Sequence, residues 1–152
     1  MEIKDGSQYL EDVKILIIDY INTLQRDLSF QNLDAELADL KTKYTPPYGK
    51  VLVAVVDEKV VGCVAYHRHN NKRCEMKRLY VLPAYRGLRI GQKLVEEIME
   101  IAKQDGYTEM VLDTIEPLYC AISLYKKCGF KERKAYYDNP MKDVIYMQCC
   151  LS

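Results

Sequence analysis

The sequence predicts an α/β chain of the α+β kind: a mixed, mostly antiparallel central sheet flanked by helices. Three observations point there. Two stretches with apolar residues at helical spacing open the chain, a block of strand-like runs follows, and a strand, a glycine-rich turn and a helix then succeed one another.

Each element has its own signal. Leu10, Val13, Ile17, Tyr20, Ile21 and Leu24 keep helical spacing behind a candidate cap at Ser7, so a first helix covers about residues 8 to 27. No opening strand is evident in the short MEIKDG. A second, shorter helix carries Leu33, Leu37, Leu40 and Tyr44, with Asn32 as its cap and Thr45-Pro46-Pro47 as its stop. KVLVAVVDEKVVGCVAYHRH reads as two strands joined at Asp57, Glu58 and Lys59, and RCEMKRLYVL as a third strand antiparallel to them. Ile90, Leu94, Ile98, Ile101 and Ala102 then mark a helix that Gly106 ends. TEMVLDTI is a strand, AISLYKKCGF a helix closed by Gly129, and FKERKAYY and DVIYMQCCL the last two strands. No repeat, linker or low-complexity tract divides the chain, so one domain over residues 1–152 is expected.

Composition narrows the function classes. With 49% hydrophobic residues the chain can build a real core. Lys plus Arg (22) balances Asp plus Glu (22), so no global field draws it to nucleic acid or an anionic membrane. No apolar run reaches the ~18 residues of a spanning helix, and the N-terminus lacks a signal-peptide pattern; a cytoplasmic protein is expected. Six cysteines occur without a CxxC pair, and His67 and His69 share one strand-like run, so no metal site is expected. The cysteines read as reduced core residues and the two histidines as exposed strand residues.

The richest segment is YRGLRIGQKLVEEI, Tyr85 to Ile98. It is neither a dinucleotide fingerprint nor a P-loop, because its glycines are Gly87 and Gly91 and Gln92 follows the second. What it offers is a set of free backbone N–H groups at the first turn of a helix. With Arg86 and Arg89 beside them, these favour a pyrophosphate.

That segment resembles the coenzyme A loop of the GNAT superfamily, the GCN5-related N-acetyltransferases. The family pattern is Gln or Arg, two residues, Gly, one residue, then Gly or Ala. Arg86 takes its first position and Gly91 its last, while Arg89 stands where the middle glycine is usual. RLYVLPAYRG and AISLYKKCGFKE are similar to the family's strand before the loop and its later helix and turn, and YYDNP with the last strand resembles a bacterial subgroup. The resemblance implies an acetyl-CoA-dependent N-acetyltransferase that transfers acetyl to a primary amine by direct attack in a ternary complex. Leu79, Tyr80 and Val81 would pair through their backbone with the pantetheine arm, and Arg86, Gly87, Leu88, Arg89, Ile90, Gly91 and Gln92 would hold the pyrophosphate. Glu75 sits at the family's catalytic glutamate and would accept the amine proton. Tyr125 occupies the tyrosine that protonates the departing thiolate. Leu118 replaces an asparagine that many relatives use on the cofactor.

The acceptor is expected across the sheet, where Phe30, Tyr136, Tyr137 and Asp138 form an aromatic, partly acidic rim suited to an amine. That amine belongs to a small molecule, a peptide or a protein, and the resemblance leaves a homodimer open. A covalent route through Cys74 or Cys120 is disfavoured, since no histidine adjoins either in sequence. The alternative is a GNAT-like acyl-CoA-binding sensor or interaction module with weak or lost turnover. Glu75 and Tyr125 favour the enzyme, Arg89 and Leu118 the module.

Overall fold

Alternating apolar residues build the sheet, and the helices follow from the need to cover both of its faces. The computed structural model describes residues 1–27 and 32–151. Among these, β1 (Glu2–Asp5), β2 (Gly49–Val56), β3 (Lys59–Arg68), β4 (Arg73–Val81), β5 (Glu109–Ile115), β6 (Lys131–Arg133) and β7 (Val144–Cys150) form one sheet in the order β1-β2-β3-β4-β5-β7-β6. The helices are α1 (Leu10–Leu24), α2 (Leu33–Ala38), α3 (Leu40–Tyr44), α4 (Ile90–Gln104) and α5 (Tyr119–Lys127). Val51, Val53, Cys63, Ala65 and Tyr80 pack towards α1 and α3, whereas Leu52, Ala54, Tyr66, Cys74 and Met76 join Leu94, Ile98 and Tyr125 on the other face. A strand covered on both faces must be apolar at nearly every position, which accounts for the run VLVAVV.

Three expectations change. An opening strand exists: β1 pairs antiparallel with β2 along Glu2 to Asp5. Its four residues carry little strand signal of their own, and the neighbouring strand supplies the template. Ser7 does not cap α1. It lies in a short 3-10 turn whose cap is Asp5, with the Ser7 N–H donating to Asp5 Oδ1 at 2.7 Å, and α1 begins at Leu10 and stops at Leu24 before left-handed Gln25. The second helix is broken into α2 and α3 at Asp39, whose side chain accepts from the Thr42 N–H at 3.2 Å. That break lets Glu36 of α2 point inwards, where it is buried.

Two irregularities shape the centre. The β2–β3 hairpin turns on Asp57 and Glu58, both with positive φ, as a two-residue turn matched to strand twist requires. Between β3 and β4 the register slips by one: Cys63 faces Tyr80 but Ala65 faces Lys77. The extra residue on β4 is a bulge at Arg78, whose φ is 64°. No helix among the described residues is long and apolar enough to cross a membrane.

Candidate active site

The site begins where two strands part. β4 and β5 run parallel through Arg73–Glu109, Cys74–Met110 and Glu75–Val111, and no further pair joins them among the described residues. Beyond Glu75 they diverge, and β5 continues against β7 alone. The wedge between them is a cleft walled by Lys77, Leu79, Leu112, Thr114, Leu118 and Tyr125. Its β4 side offers main-chain groups to an extended ligand, which can add there as an extra strand. Of the three expected pantetheine positions Leu79 lines the cleft, Val81 ends β4 beyond it, and the Tyr80 side chain turns to the opposite face of the sheet, where its hydroxyl bonds Asp19.

The bulge at the head of this cleft is held from behind. Arg78 donates through Nε to Glu36 Oε2 at 2.7 Å and through Nη2 to Glu36 Oε1 at 3.1 Å, and both residues are buried. Lys43 Nζ adds a bond of 2.9 Å to Glu36 Oε1. Burial alone would raise the Glu36 carboxyl, but the Arg78 bonds and charge, aided by Lys43, outweigh it and hold it at about 2. A left-handed arginine is a strained choice, and this bidentate pair keeps it in place.

The glycine-rich turn follows β4 and leads into α4. Gly87 has φ 84° with open space on its Cβ side, and Arg89 is itself left-handed at φ 61°, the conformation a glycine would adopt freely. Arg86 turns back, donating from Nε to the Val81 carbonyl at 3.0 Å and lying 5.5 Å from the Tyr80 ring centre. It fastens the turn to β4. Ile90 is buried in the core, and Gln92 bonds Glu96 at 2.7 Å, so these two can serve an anion through their backbone. Leu88 is exposed. A Cβ on Gly91 would meet Leu124 at 3.6 Å and Val81 at 3.9 Å, ordinary contacts between the start of α4, α5 and the end of β4.

Glu75 sits at the inner end, only 5% exposed. It does not pair with Lys77 or Arg78, its neighbours in sequence. Its Oε1 lies 2.6 Å from His67 Nε2 and 3.4 Å from His69 Nε2, and its Oε2 accepts from the Tyr136 hydroxyl. Burial pushes the Glu75 carboxyl up, but the histidine bonds, Lys77 and Tyr136 more than reverse this and hold it far below the usual carboxylate range. An ionised carboxylate accepts, so each imidazole presents Nε2–H to it. Burial lowers the His67 pKa against the pull of Glu75, and the ring stays neutral at pH 7. The expectation of an exposed strand histidine fails for His67, because antiparallel register sets it directly opposite Glu75, whereas His69 is exposed as expected.

Tyr136 and Tyr137 both reach this region. The Tyr137 hydroxyl donates to Asp113 Oδ2, which also accepts from Asn139 Nδ2 at 3.2 Å. Together with His67, His69, Glu75 and Lys77 the two tyrosines line a cavity of about 230 Å³. Phe30 lies outside the described residues. The donor atoms of His67, His69 and Glu75 fall within 4.8 Å of one another, a grouping drawn from two strands that linear spacing could not show. Within it, His67 Nε2 and Glu75 Oε1 are joined by a hydrogen bond of 2.6 Å. Tyr125 lies within α5, 8% exposed, its ring edge-on to Phe130 at 5.9 Å and its body lining the cleft. Burial raises its phenol pKa, so the hydroxyl keeps its proton. Sequence reasoning missed Asp113, Lys77 and the Glu36–Arg78 pair. Only the hairpin register carried a signal for the histidines.

Comparison with known proteins agrees with this geometry. The acetyltransferase (GNAT) family profile matches residues 17–130. An uncharacterized N-acetyltransferase of Schizosaccharomyces pombe is 46% identical over 147 residues, covering 95% of this chain and 90% of that protein. An acetyltransferase from Streptococcus agalactiae superposes with a TM-score of 0.77 at 26% identity, over 98% of this chain and 97% of the other. The PaiA N-acetyltransferase from Thermoplasma acidophilum, solved in complex with coenzyme A, shares the fold with a TM-score of 0.72 at 21% identity, over 99% of both chains.

Proposed function

The chain belongs to the acetyltransferase (GNAT) family, and from that premise we propose that it transfers an acetyl group from acetyl-CoA to a primary amine by direct attack in a ternary complex. The observation that carries the reading is the parting of β4 from β5 after Glu75–Val111, which leaves a cleft walled by Lys77, Leu79, Leu112 and Tyr125, with Glu75 and its two histidines at the last paired position. A pyrophosphate at the start of α4 and a pantetheine strand along Leu79 to Val81 would bring the thioester to the bulge.

The reaction then needs three things from the protein. An alkyl ammonium with a pKa near ~10.4 must lose a proton before it can attack. Glu75 with neutral His67 forms the base: the carboxylate fixes the ring, and a proton entering the pair is shared between imidazole and carboxylate. The amine nitrogen bonds to the carbonyl carbon, and backbone N–H groups after the bulge stabilise the developing oxyanion. The carbon–sulfur bond then breaks towards Tyr125. A phenol that holds its proton this firmly donates a hydrogen bond to the leaving thiolate, and the proton that finally neutralises the thiol comes from the amine.

Arg89 adopts, at φ 61°, the left-handed conformation that a glycine would adopt freely before α4, which supports cofactor binding for the enzyme and for a silent binding module alike. Calorimetric titration with acetyl-CoA, with ATP as control, followed by a thiol-release assay across a panel of amines, tests the reading. Binding of acetyl-CoA with amine-dependent thiol release is expected. Binding without release from any amine would leave the sensor module, and no binding would remove both.

A further inference from the structure

Lys77 is the one side chain among the described residues that lines both the cofactor cleft and the acceptor cavity. No hydrogen bond or ion pair reaches its ammonium among those residues, although it lies largely within the protein beside β4's bulge. The other charged groups around the cavity are already engaged. Lys43 is bound to Glu36 at 2.9 Å. Glu75, the only acid on the cavity wall among the described residues, has Oε1 taken by the two histidines and Oε2 by Tyr136. Tyr137 donates away, to Asp113. Lys77 is therefore the cation on the cavity wall that no carboxylate already holds by a hydrogen bond among the described residues.

We propose that the acceptor is a small amine bearing a carboxylate, an amino acid, and that Lys77 binds this carboxylate while the amine stands between Glu75 with His67 and the thioester. The assignment rests on the transfer reading above and adds the substrate class to it. The cavity, about 230 Å³, suits a molecule of that size. A cation withdrawn from water gains most from an anionic partner, and burial, with the Arg78 and Lys43 charges beside it, lowers the Lys77 pKa against the pull of Glu75. Carboxylate and amine would sit on adjacent positions of one strand face, since Glu75 and Lys77 are two residues apart on β4. A plain alkylamine or a polyamine would instead place its own charge against Lys77 and pay its desolvation without a counter-ion.

The test measures kcat/KM for the twenty L-amino acids against their carboxamides at saturating acetyl-CoA. At least one acid should exceed its amide by about tenfold or more, the worth of one hydrogen bond to a charged group. In Lys77→Met that ratio should fall towards one, chiefly through KM. Amides turned over as well as acids would overturn the assignment. So would a Lys77→Met variant that slows acids and amides equally, because the lysine would then act on the reaction and not on the carboxylate. If nothing is acetylated, binding decides: the CoA complex is titrated with the N-acetylated amino acids and their amides. Tighter binding of the acids upholds the carboxylate site even though the transfer reading fails, and equal or absent binding removes it. Should Lys77→Met not fold, the wild-type acid-to-amide comparison stands alone.

Discussion

The chemistry depends on which atom of the Glu75 network takes the proton. Glu75 alone is a weak base, because its bonding partners hold the carboxyl far below its ordinary range. His67 is neutral and fixed by it. Glu75→Gln keeps the shape but removes the charge that orients the ring and stabilises its protonated form. Turnover should fall by about 10²–10⁴-fold, the usual worth of a positioned base. Acetyl-CoA affinity should hold, since the cleft walls are Leu79, Leu112 and Tyr125. Steady-state kinetics beside calorimetry check this, and near-normal turnover would remove Glu75 from the base. The pH profile carries a sign. Burial lowers the His67 pKa below the ~6.5 of a free imidazole, so the acid limb of kcat/KM should fall below that value. Family spacing marks single positions, so the sequence singled out Glu75 and Tyr125, and the structure sets the first on the cavity wall and the second on the cleft wall. His67 was not singled out, because its role comes from a partner eight residues away across a hairpin, which composition does not show.

At the scale of elements, the bulge on β4 and the short α2 work as a pair. α2 exists as a separate piece because Asp39 interrupts the helical stripe, and the interruption delivers Glu36 to Arg78. The stripe of Leu33, Leu37, Leu40 and Tyr44 was readable as helix, but the break was not: apolar periodicity runs straight through it, while the capping geometry of Asp39 needs the fold. Glu36→Ala would leave a buried guanidinium without its carboxylate and should cost about 3–5 kcal/mol. Urea denaturation reads the loss, and a cost below about 1 kcal/mol would mean the bulge does not rely on the pair. The same pair predicts an acid limit. Glu36 has a folded pKa of about 2 against roughly 4.3 for a free glutamate, so its contribution is complete above the unfolded value and disappears as pH falls through the folded one. Stability should therefore decline between about pH 4.3 and 2, and Glu36→Ala should flatten that decline.

Across the whole molecule, the order of helices and strands followed from apolar spacing and turn residues except for β1 and the break between α2 and α3, and the parting of β4 from β5 did not follow from them either. Divergence of two parallel strands depends on what each pairs with next, β3 on one side and β7 on the other, and no local pattern encodes it. The parted sheet has a thermodynamic consequence. Among the described residues, main-chain groups along the two facing edges have no sheet partners, and a ligand strand would supply them, so the cofactor should act as a structural wedge as well as a reactant. At about 100-fold excess over its Kd, acetyl-CoA should add about 2.7 kcal/mol. For a chain of this length each kcal/mol moves Tm by about 2–4 °C, giving a rise of about 5–11 °C in scanning calorimetry. Desulfo-CoA should give nearly the same rise, because the pyrophosphate and pantetheine contacts do not involve sulfur. ATP should give much less, since it lacks the strand-like arm. A rise with ATP equal to that with acetyl-CoA would place the binding energy in the turn before α4 alone and would mean that the cleft between β4 and β5 is not where the cofactor lies.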